Sequence, residues 1–267
     1  MSFSIVIPAR YASSRLPGKP LRVLAGKPLI AHVYDCAVSS GAREIVVATD
    51  DERIADACRD FGAPVMMTAA SHRSGSERLA EVARRRGWDD DEVVVNLQGD
   101  EPLTPPAVIR QVAEDLLEHP QASMSTLCAP LHAASQLNDP HTVKVVRDAA
   151  GYALYFSRAP IPWERDVLSA EERLDPLGWR HIGLYAYRAS YLRRYAELSP
   201  CVLEEIEKLE QLRVLWHGAR IHVAEALQAP GHGVDTPQDL ALVEALLEQR
   251  RKETADGEKI SPASQAS

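Results

Sequence analysis

The chain is short of positive charge: 30 lysines and arginines stand against 38 aspartates and glutamates, a formal net charge of -8. A nucleic-acid binder needs a basic surface to displace counterions from phosphates, so the balance argues against that class. Cysteine is scarce and scattered. Cys36, Cys58, Cys128 and Cys201 form no Cys-x-x-Cys pair and no metal-ligand spacing, which argues against a zinc site and for buried thiols in a reducing compartment. No apolar run reaches membrane-span length, and the first residues (Met-Ser-Phe-Ser-Ile-Val-Ile-Pro) lack the basic start and apolar stretch of a signal peptide. A cytoplasmic protein with no membrane partner is expected. What remains is ordinary globular composition over 267 residues, enough for one large α/β domain.

Strand and helix signals alternate from the start. Short β-branched or apolar runs at 4–7, 44–48, 64–67, 93–97 and 123–128 alternate with helical stripes at 28–40, 51–61, 74–86 and 105–118. Ser74 and Glu77 have capping-box spacing. Strands that do not alternate in polarity, separated by helices, indicate a doubly wound, mainly parallel sheet covered on both faces. Ligands bind beyond the carboxyl ends of such strands, so 10–19 and 98–102 are the segments of interest. After 130 the pattern changes. Runs at 142–146 and 152–157 flank Asp148-Ala149-Ala150-Gly151 and read as a hairpin. A proline-bearing loop at 160–180 follows. A strand at 182–187, helices at 189–198 and 203–215, a strand at 220–226 and a helix at 237–250 complete the pattern. The reading is one domain over 1–252, with a core of 1–129 and 227–250 and a smaller mixed α+β lobe inserted at 130–226. The polar tail at 253–267 is expected to be disordered.

Residues 10–19 (Arg-Tyr-Ala-Ser-Ser-Arg-Leu-Pro-Gly-Lys) crowd Arg10, Arg15 and Lys19 with the hydroxyls of Ser13 and Ser14 after the first strand. In an acidic protein that is a local anion trap, though charge clustering alone also describes a solvated basic turn. It is not a Walker A loop, because Ser13 and Pro20 stand where that motif needs glycine and a hydroxyl. Asp100 follows the central strand within reach of a bound phosphate. Asp235, before Thr-Pro, reads on its own as a helix N-cap.

The segment Ile7 to Leu21 resembles the signature loop of sugar nucleotidyltransferases, specifically the 3-deoxy-manno-octulosonate (Kdo) cytidylyltransferase family. Further matching segments are 47–50, 74–78, 96–102, 143–146, 152–158, 181–185, 209–213 and 233–237. The resemblance spans about Ile5 to Leu242. Its departures are Ser76, where the family usually has threonine, and a poorly matching loop at 164–180.

The resemblance implies a Rossmann-like nucleotide-diphospho-sugar transferase fold and the joining of CTP and Kdo into CMP-Kdo and pyrophosphate. It implies Lys19 and Arg10 as the groups stabilising the transferring phosphoryl, with Arg15 and the loop backbone on the β and γ phosphates and Ser13 among the nucleotide-binding residues. Ala9, Ser74, Gly75 and Gln98 would line the nucleotide pocket. Arg78, Gln98, Arg158, His181, Tyr185, Glu210 and Gln211 would face the sugar. Asp100 and Asp235 would hold Mg²⁺, which sets the cap reading of Asp235 aside. A homodimer is implied too, with the lobe serving dimerisation and sugar binding. The hairpin at 142–157, carrying Tyr152, Tyr155 and Phe156, is the candidate surface. Other cytidylyltransferases of this fold, a silent nucleotide-sensing domain and a glycosyltransferase are the competing readings. The last would place an Asp-x-Asp motif where Gln98-Gly99-Asp100-Glu101 stands.

Overall fold

The structure is a computed structural model that describes residues 2–12, 15–72, 74–166 and 176–259, the last seven by backbone only. Its strands are β1 (Ser4–Ala9), β2 (Val23–Leu24), β3 (Lys27–Pro28), β4 (Glu44–Thr49), β5 (Val65–Met67), β6 (Val93–Asn96), β7 (Met124–Leu131), β8 (Lys144–Arg147), β9 (Ala153–Ser157), β10 (Gly178–Arg188) and β11 (Ile221–Glu225). Its helices are α1 (Leu29–Ser39), α2 (Glu52–Asp60), α3 (Gly75–Arg86), α4 (Pro106–Glu118), α5 (Ala134–Asn138), α6 (Ala189–Tyr195), α7 (Val202–Glu207), α8 (Gln211–Trp216) and α9 (Pro237–Lys259).

The main sheet runs β11-β7-β10-β6-β1-β4-β5. β1 pairs parallel with both β4 and β6, and β4 pairs parallel with β5. The chain winds outward from β1 through β4 and β5, then returns to the other side of β1 with β6. The strand order therefore reverses at β1, and a crevice opens beyond the carboxyl ends of β1 and β6. The valines and isoleucines of β1 and β6 are buried on both faces, as expected of strands covered by helices on each side; Ile45 of β4 and Val65 of the edge strand β5 are half-buried.

Two strands depart from the sequence reading. β10 is an eleven-residue strand that starts at Gly178, and it lies antiparallel between β6 and β7. β11 pairs parallel with β7. Much of the segment read as an inserted lobe thus belongs to the main sheet; the hairpin β8–β9 branches from β10. A bulge between Ile182 and Tyr185 breaks the β10 register beside the crevice.

The single helix expected over 203–215 is two, α7 and α8, separated by Lys208 in the left-handed region at φ 55°. Long-range contacts hold the break. Arg158 Nε donates to the Glu207 carbonyl at 2.8 Å, and the Glu207 carboxylate accepts from Ser157 Oγ and the Arg158 amide at 2.6 and 2.9 Å. Beyond it, Arg213 grips Glu204 through two bonds of 2.7 and 2.6 Å.

The final helix runs to Lys259, past the boundary expected at 252; the rest of the tail, 260–267, lies outside the described residues. The hairpin turn forms as expected, with Asp148 Oδ1 accepting from the Ala150 and Tyr152 amides at 2.9 and 2.8 Å. Of its aromatics, Tyr152 and Tyr155 are half-buried and only Phe156 is withdrawn from the expected surface. Phe156 is fully buried in the core, and Tyr152 packs edge-on against His119 and His222 under the Arg220 guanidinium. Leu154, 60% exposed, is the apolar side chain the hairpin presents outward.

Cys58, Cys128 and Cys201 are buried and Cys36 is half-buried. Burial pushes the Cys36, Cys58 and Cys128 thiols up to about 11, 12 and 11, so they are inert. Asp115, His119 and His222 have the composition of a metal site. Their geometry is that of packing. The two imidazoles stack 3.5 Å apart at 13°, so their in-plane lone pairs run side by side rather than converging. The ring nitrogens of His222 already meet Asp115 Oδ2 at 2.8 Å and the Ala150 carbonyl at 3.2 Å.

Candidate active site

The loop after β1 is closed on itself. The Gly18 amide donates to the Tyr11 carbonyl at 3.1 Å, and Gly18 takes φ 67°, where its absent Cβ would press on the Tyr11 ring at 3.1 Å. Arg53, held by Asp51, covers the same ring 3.4 Å from its centroid. Leu16 is buried in a small cluster with Leu24, Leu29, Leu103, Val234 and Val243, which fastens the loop to α9. A 3₁₀ turn starts directly after Gly18 and launches Lys19 into the crevice.

Lys19 Nζ is fully satisfied there. It donates to Asp100 Oδ2 at 2.6 Å, to the Val234 carbonyl at 2.9 Å and to Asp235 Oδ1 at 3.1 Å. Arg15 reaches the other oxygen of Asp235 at 3.2 Å. Burial disfavours the ammonium, but Asp100 and Asp235 outweigh it, so the Lys19 pKa is raised and the group is charged at neutral pH. Asp235 comes from residues more than 130 positions beyond Asp100. The Val234 amide, bonded to the Asp100 carbonyl at 2.9 Å, fixes their approach.

Asp235 is not the helix cap. Thr236 Oγ1 accepts from the Asp239 amide at 3.2 Å, and Asp239 Oδ2 accepts from the Thr236 and Asp235 amides at 2.8 and 3.0 Å. Thr236 and Asp239 form the capping pair, leaving the Asp235 carboxylate free to turn to Lys19. Thr236→Ala should lower stability by about 1 kcal/mol in chemical denaturation, the usual size of a lost cap.

Lys19, Asp100 and Asp235 line a cavity of about 410 Å³ with Ala9, Arg10, Arg15 and Gln98. Ser13 lies outside the described residues. A neighbouring cavity of about 450 Å³ shares Arg10 and Gln98 and extends under α3, β10 and α8; Ser74, Gly75, His181, Tyr185, Glu210 and Gln211 line it. Of the expected sugar-side residues, two fall elsewhere. Arg78, one turn into α3, is buried against Thr68 Oγ1 and pairs with Asp50 at 3.3 Å. Arg158 is committed to Glu207 and, at 3.0 Å, to the Pro140 carbonyl. Neither lines these cavities. Gly75 is not compelled by packing either, since a Cβ there would meet Pro8, Gln98 and Asn96 at ordinary distances of 3.4–3.7 Å. What its bareness does is keep the cavity wall open.

The larger cavity is polar and fixed. Ser74 Oγ caps α3 by accepting from the Glu77 amide at 3.2 Å, so the helix N-terminus faces the cavity. Ser76 Oγ meets Tyr187 Oη at 3.2 Å and donates to Glu210 Oε2 at 3.1 Å. Glu210 is open to the cavity yet walled by protein, and burial raises its pKa despite the Ser76 hydrogen bond. Two groups in the wall are buried without a hydrogen-bond partner: Gln211 Nε2 and Tyr195 Oη.

His181 is neutral, its pKa pushed down to about 3 by burial and by Arg180. Thr126 Oγ1 has carbonyls of Ile182 and Leu184 at 2.9 and 2.8 Å to donate to. His181 Nε2, 3.0 Å away, is therefore assigned as the donor to that hydroxyl. The unfolded chain takes up this proton near pH 6.5 and the folded chain only near 3, so stability should fall as pH drops through that window. His181→Gln should flatten the fall in melting temperature between pH 7 and 4.

Sequence reasoning missed Asn96, Tyr187, Tyr195 and Arg180 because each sits at an unremarkable strand or helix position. It also missed Glu101, whose carboxyl is raised to about 8 by burial, with Asp100 and Asp235 adding to the effect.

A sheet that reverses at β1, a cationic loop and converging carboxylates at the reversal, and a polar cavity alongside define a nucleotidyltransferase. The chain belongs to the cytidylyltransferase family, whose model matches residues 4–221, and within it to the 3-deoxy-manno-octulosonate cytidylyltransferases. It is 58% identical to the 3-deoxy-manno-octulosonate cytidylyltransferase of Thioalkalivibrio sulfidiphilus, over 92% of this chain and 99% of the relative. It is 56% identical to that of Idiomarina loihiensis, over 96% and 100%. Among solved structures, CMP:2-keto-3-deoxy-manno-octonic acid synthetase complexed with CTP superposes with a TM-score of 0.85 at 43% identity, covering 93% of this chain and all of that one. A nucleotidyl transferase from Methanothermobacter thermautotroptrophicus, 18% identical with a TM-score of 0.58 over 93% and 99% of the two chains, shares the fold.

Proposed function

We propose that this protein transfers CMP from CTP to the anomeric hydroxyl of Kdo, releasing pyrophosphate and activating the sugar for lipopolysaccharide biosynthesis. The observation that carries the reading is the joint between the two cavities. Arg10 and Gln98 line both, so a nucleoside triphosphate on the Lys19 side presents its α-phosphorus to a polyhydroxylated ligand on the other.

The sugar hydroxyl forms the new bond to the α-phosphorus as the bond to the pyrophosphate oxygen breaks, and the hydroxyl proton is released to solvent. Arg10 sits at the crossing point and Lys19 lines the phosphate side, and both are assigned to the charge that builds on the phosphoryl oxygens. Arg15 holds the outer phosphates. The helix N-terminus at Ser74–Gly75 offers backbone donors to the nucleotide.

Asp100 and Asp235 suit Mg²⁺: two carboxylates from distant segments already converge on one cationic nitrogen, leaving phosphate and water oxygens to complete a hard coordination shell. Bound there, the ion would supply Lewis-acid neutralisation of the triphosphate. The protein acts as a cytoplasmic homodimer without nucleic-acid or membrane partners; among the described residues no helix is long and apolar enough to cross a membrane.

Pyrophosphate release from CTP should require Kdo and Mg²⁺ together. Faster turnover of an acylneuraminate or a polyol phosphate than of Kdo would overturn the substrate reading. A monomeric mass at micromolar concentration would overturn the dimer.

A further inference from the structure

A 2-ulosonate is an anion, and the cavity that would hold it must answer a carboxylate. This inference rests on the reading above. The two arginines expected for that task are occupied. Arg78 is buried against Asp50 and Thr68, and Arg158 is spent on the Glu207 and Pro140 carbonyls. Lys144, on the strand beside Arg180, is equally committed, its ammonium bonded to the carbonyls of Asp139, Thr142 and Arg158 at 2.9, 2.6 and 2.5 Å.

The cations that do line the 450 Å³ cavity are Arg10, Lys208 and Arg180. Arg10 is shared with the phosphate cavity, and Lys208 is an exposed side chain at the break between α7 and α8. Arg180 is half-buried on β10, where the sheet carries it to the wall next to Gln98 and His181. Among the described residues no carboxylate lies within ion-pair distance of it; Glu101, further off, lines the adjoining cavity with it. It also lines a smaller adjoining cavity of about 230 Å³, again beside Gln98.

The geometry points to Arg180 as the residue that binds the sugar carboxylate and sets the orientation of the sugar. The polar groups of the cavity support the assignment. Glu210 would repel a carboxylate, so the anionic end belongs away from it, at Arg180. Ser74, Gln98 and His181, which line the same wall, supply polar groups for the hydroxyls of the remaining chain. In a 2-ulosonate the carboxylate carbon is bonded to the anomeric carbon. Anchoring the acid at Arg180 therefore brings the reacting hydroxyl toward Gln98 and Arg10, the joint with the phosphate cavity. A guanidinium also fits a carboxylate fork-to-fork, which fixes direction as well as distance.

The test compares Kdo with its C1 carboxamide as acceptors for wild type, Arg180→Gln, Arg158→Gln and Lys208→Gln. Wild type should prefer the acid by about a hundredfold in kcat/KM, in line with the loss of one charged contact in a built site. Arg180→Gln should erase that preference by losing about a hundredfold on Kdo alone. Its carboxamide turnover, KM for CTP and melting temperature should stay as in wild type, and Arg180→Lys should restore part of the preference. Retention of the preference in Arg180→Gln, its loss in Arg158→Gln or Lys208→Gln instead, or equal losses on acid and amide would each overturn the assignment. Failure of wild type to release pyrophosphate from CTP with Kdo would overturn the functional reading rather than this one.

Discussion

Replacing Lys19 by alanine should lower kcat by about 10²–10³ while raising KM for CTP less than about tenfold. The size is that of removing one preorganised charge from a phosphoryl-transfer or oxyanion site. The asymmetry follows from anchoring. Lys19 is fixed by both aspartates at the floor of the phosphate cavity and is assigned to the charge that develops as the pyrophosphate leaves, whereas the exposed Arg15 and the loop backbone are assigned to holding the triphosphate in the ground state. Equal losses in kcat and in CTP affinity would remove the transition-state role. A second readout is independent of turnover. In the ligand-free protein Lys19 supplies the countercharge for Asp100 and Asp235. Without it two carboxylates face each other beside the buried Glu101. Mg²⁺ should then raise the melting temperature of Lys19→Ala by more than it raises that of wild type. An equal or smaller rise would mean that Lys19 and a cation do not share these ligands.

The parallel half of the sheet, the phosphate loop and the two aspartates were legible in the sequence because each is written locally. β1, β4 and β6 are unbroken apolar runs, Gly41 and Gly62 close their helices in the left-handed region, and three cations lie within ten residues. The placement of β10 was not. An antiparallel strand inserted between two distant strands is decided by tertiary pairing, and its register break at 182–185 has no composition signal. Nor was the division of 202–216 into two helices, which depends on Arg158 and Glu207, some 50 positions apart in sequence. The same long-range logic decides where the arginines go. Arg78 and Arg158 lie in recognisable segments, yet the fold spends them on Asp50 and Glu207. Arg180 ends the poorly matching stretch and reaches the cavity. Asp235 shows the converse. Local pattern makes it a cap, but the neighbouring Thr236 and Asp239 take that task.

Asp100→Asn and Asp235→Asn should both lower activity, and unequally. Asp100 is the more enclosed and makes the shorter contact to Lys19, 2.6 against 3.1 Å. Its backbone is also anchored, the Asp100 carbonyl accepting from the Val234 amide at 2.9 Å. Asp235 is half-exposed and shares its charge with Arg15. Losing one of two charged oxygen ligands should weaken Mg²⁺ by about 10–100-fold, the range seen when a metal site loses a supporting carboxylate. For Asp235→Asn, raised Mg²⁺ should therefore recover most of kcat. For Asp100→Asn, kcat should stay about 10²–10³ below wild type at any Mg²⁺ concentration, because the same change also frees Lys19 from its alignment. The double variant Lys19→Ala with Asp100→Asn should fall little further than either single variant, since each already dismantles one unit. Additive losses would show that the lysine and the aspartate act separately. Full rescue of Asp100→Asn by Mg²⁺ would reduce Asp100 to a metal ligand and leave the positioning of Lys19 to Val234 and Asp235.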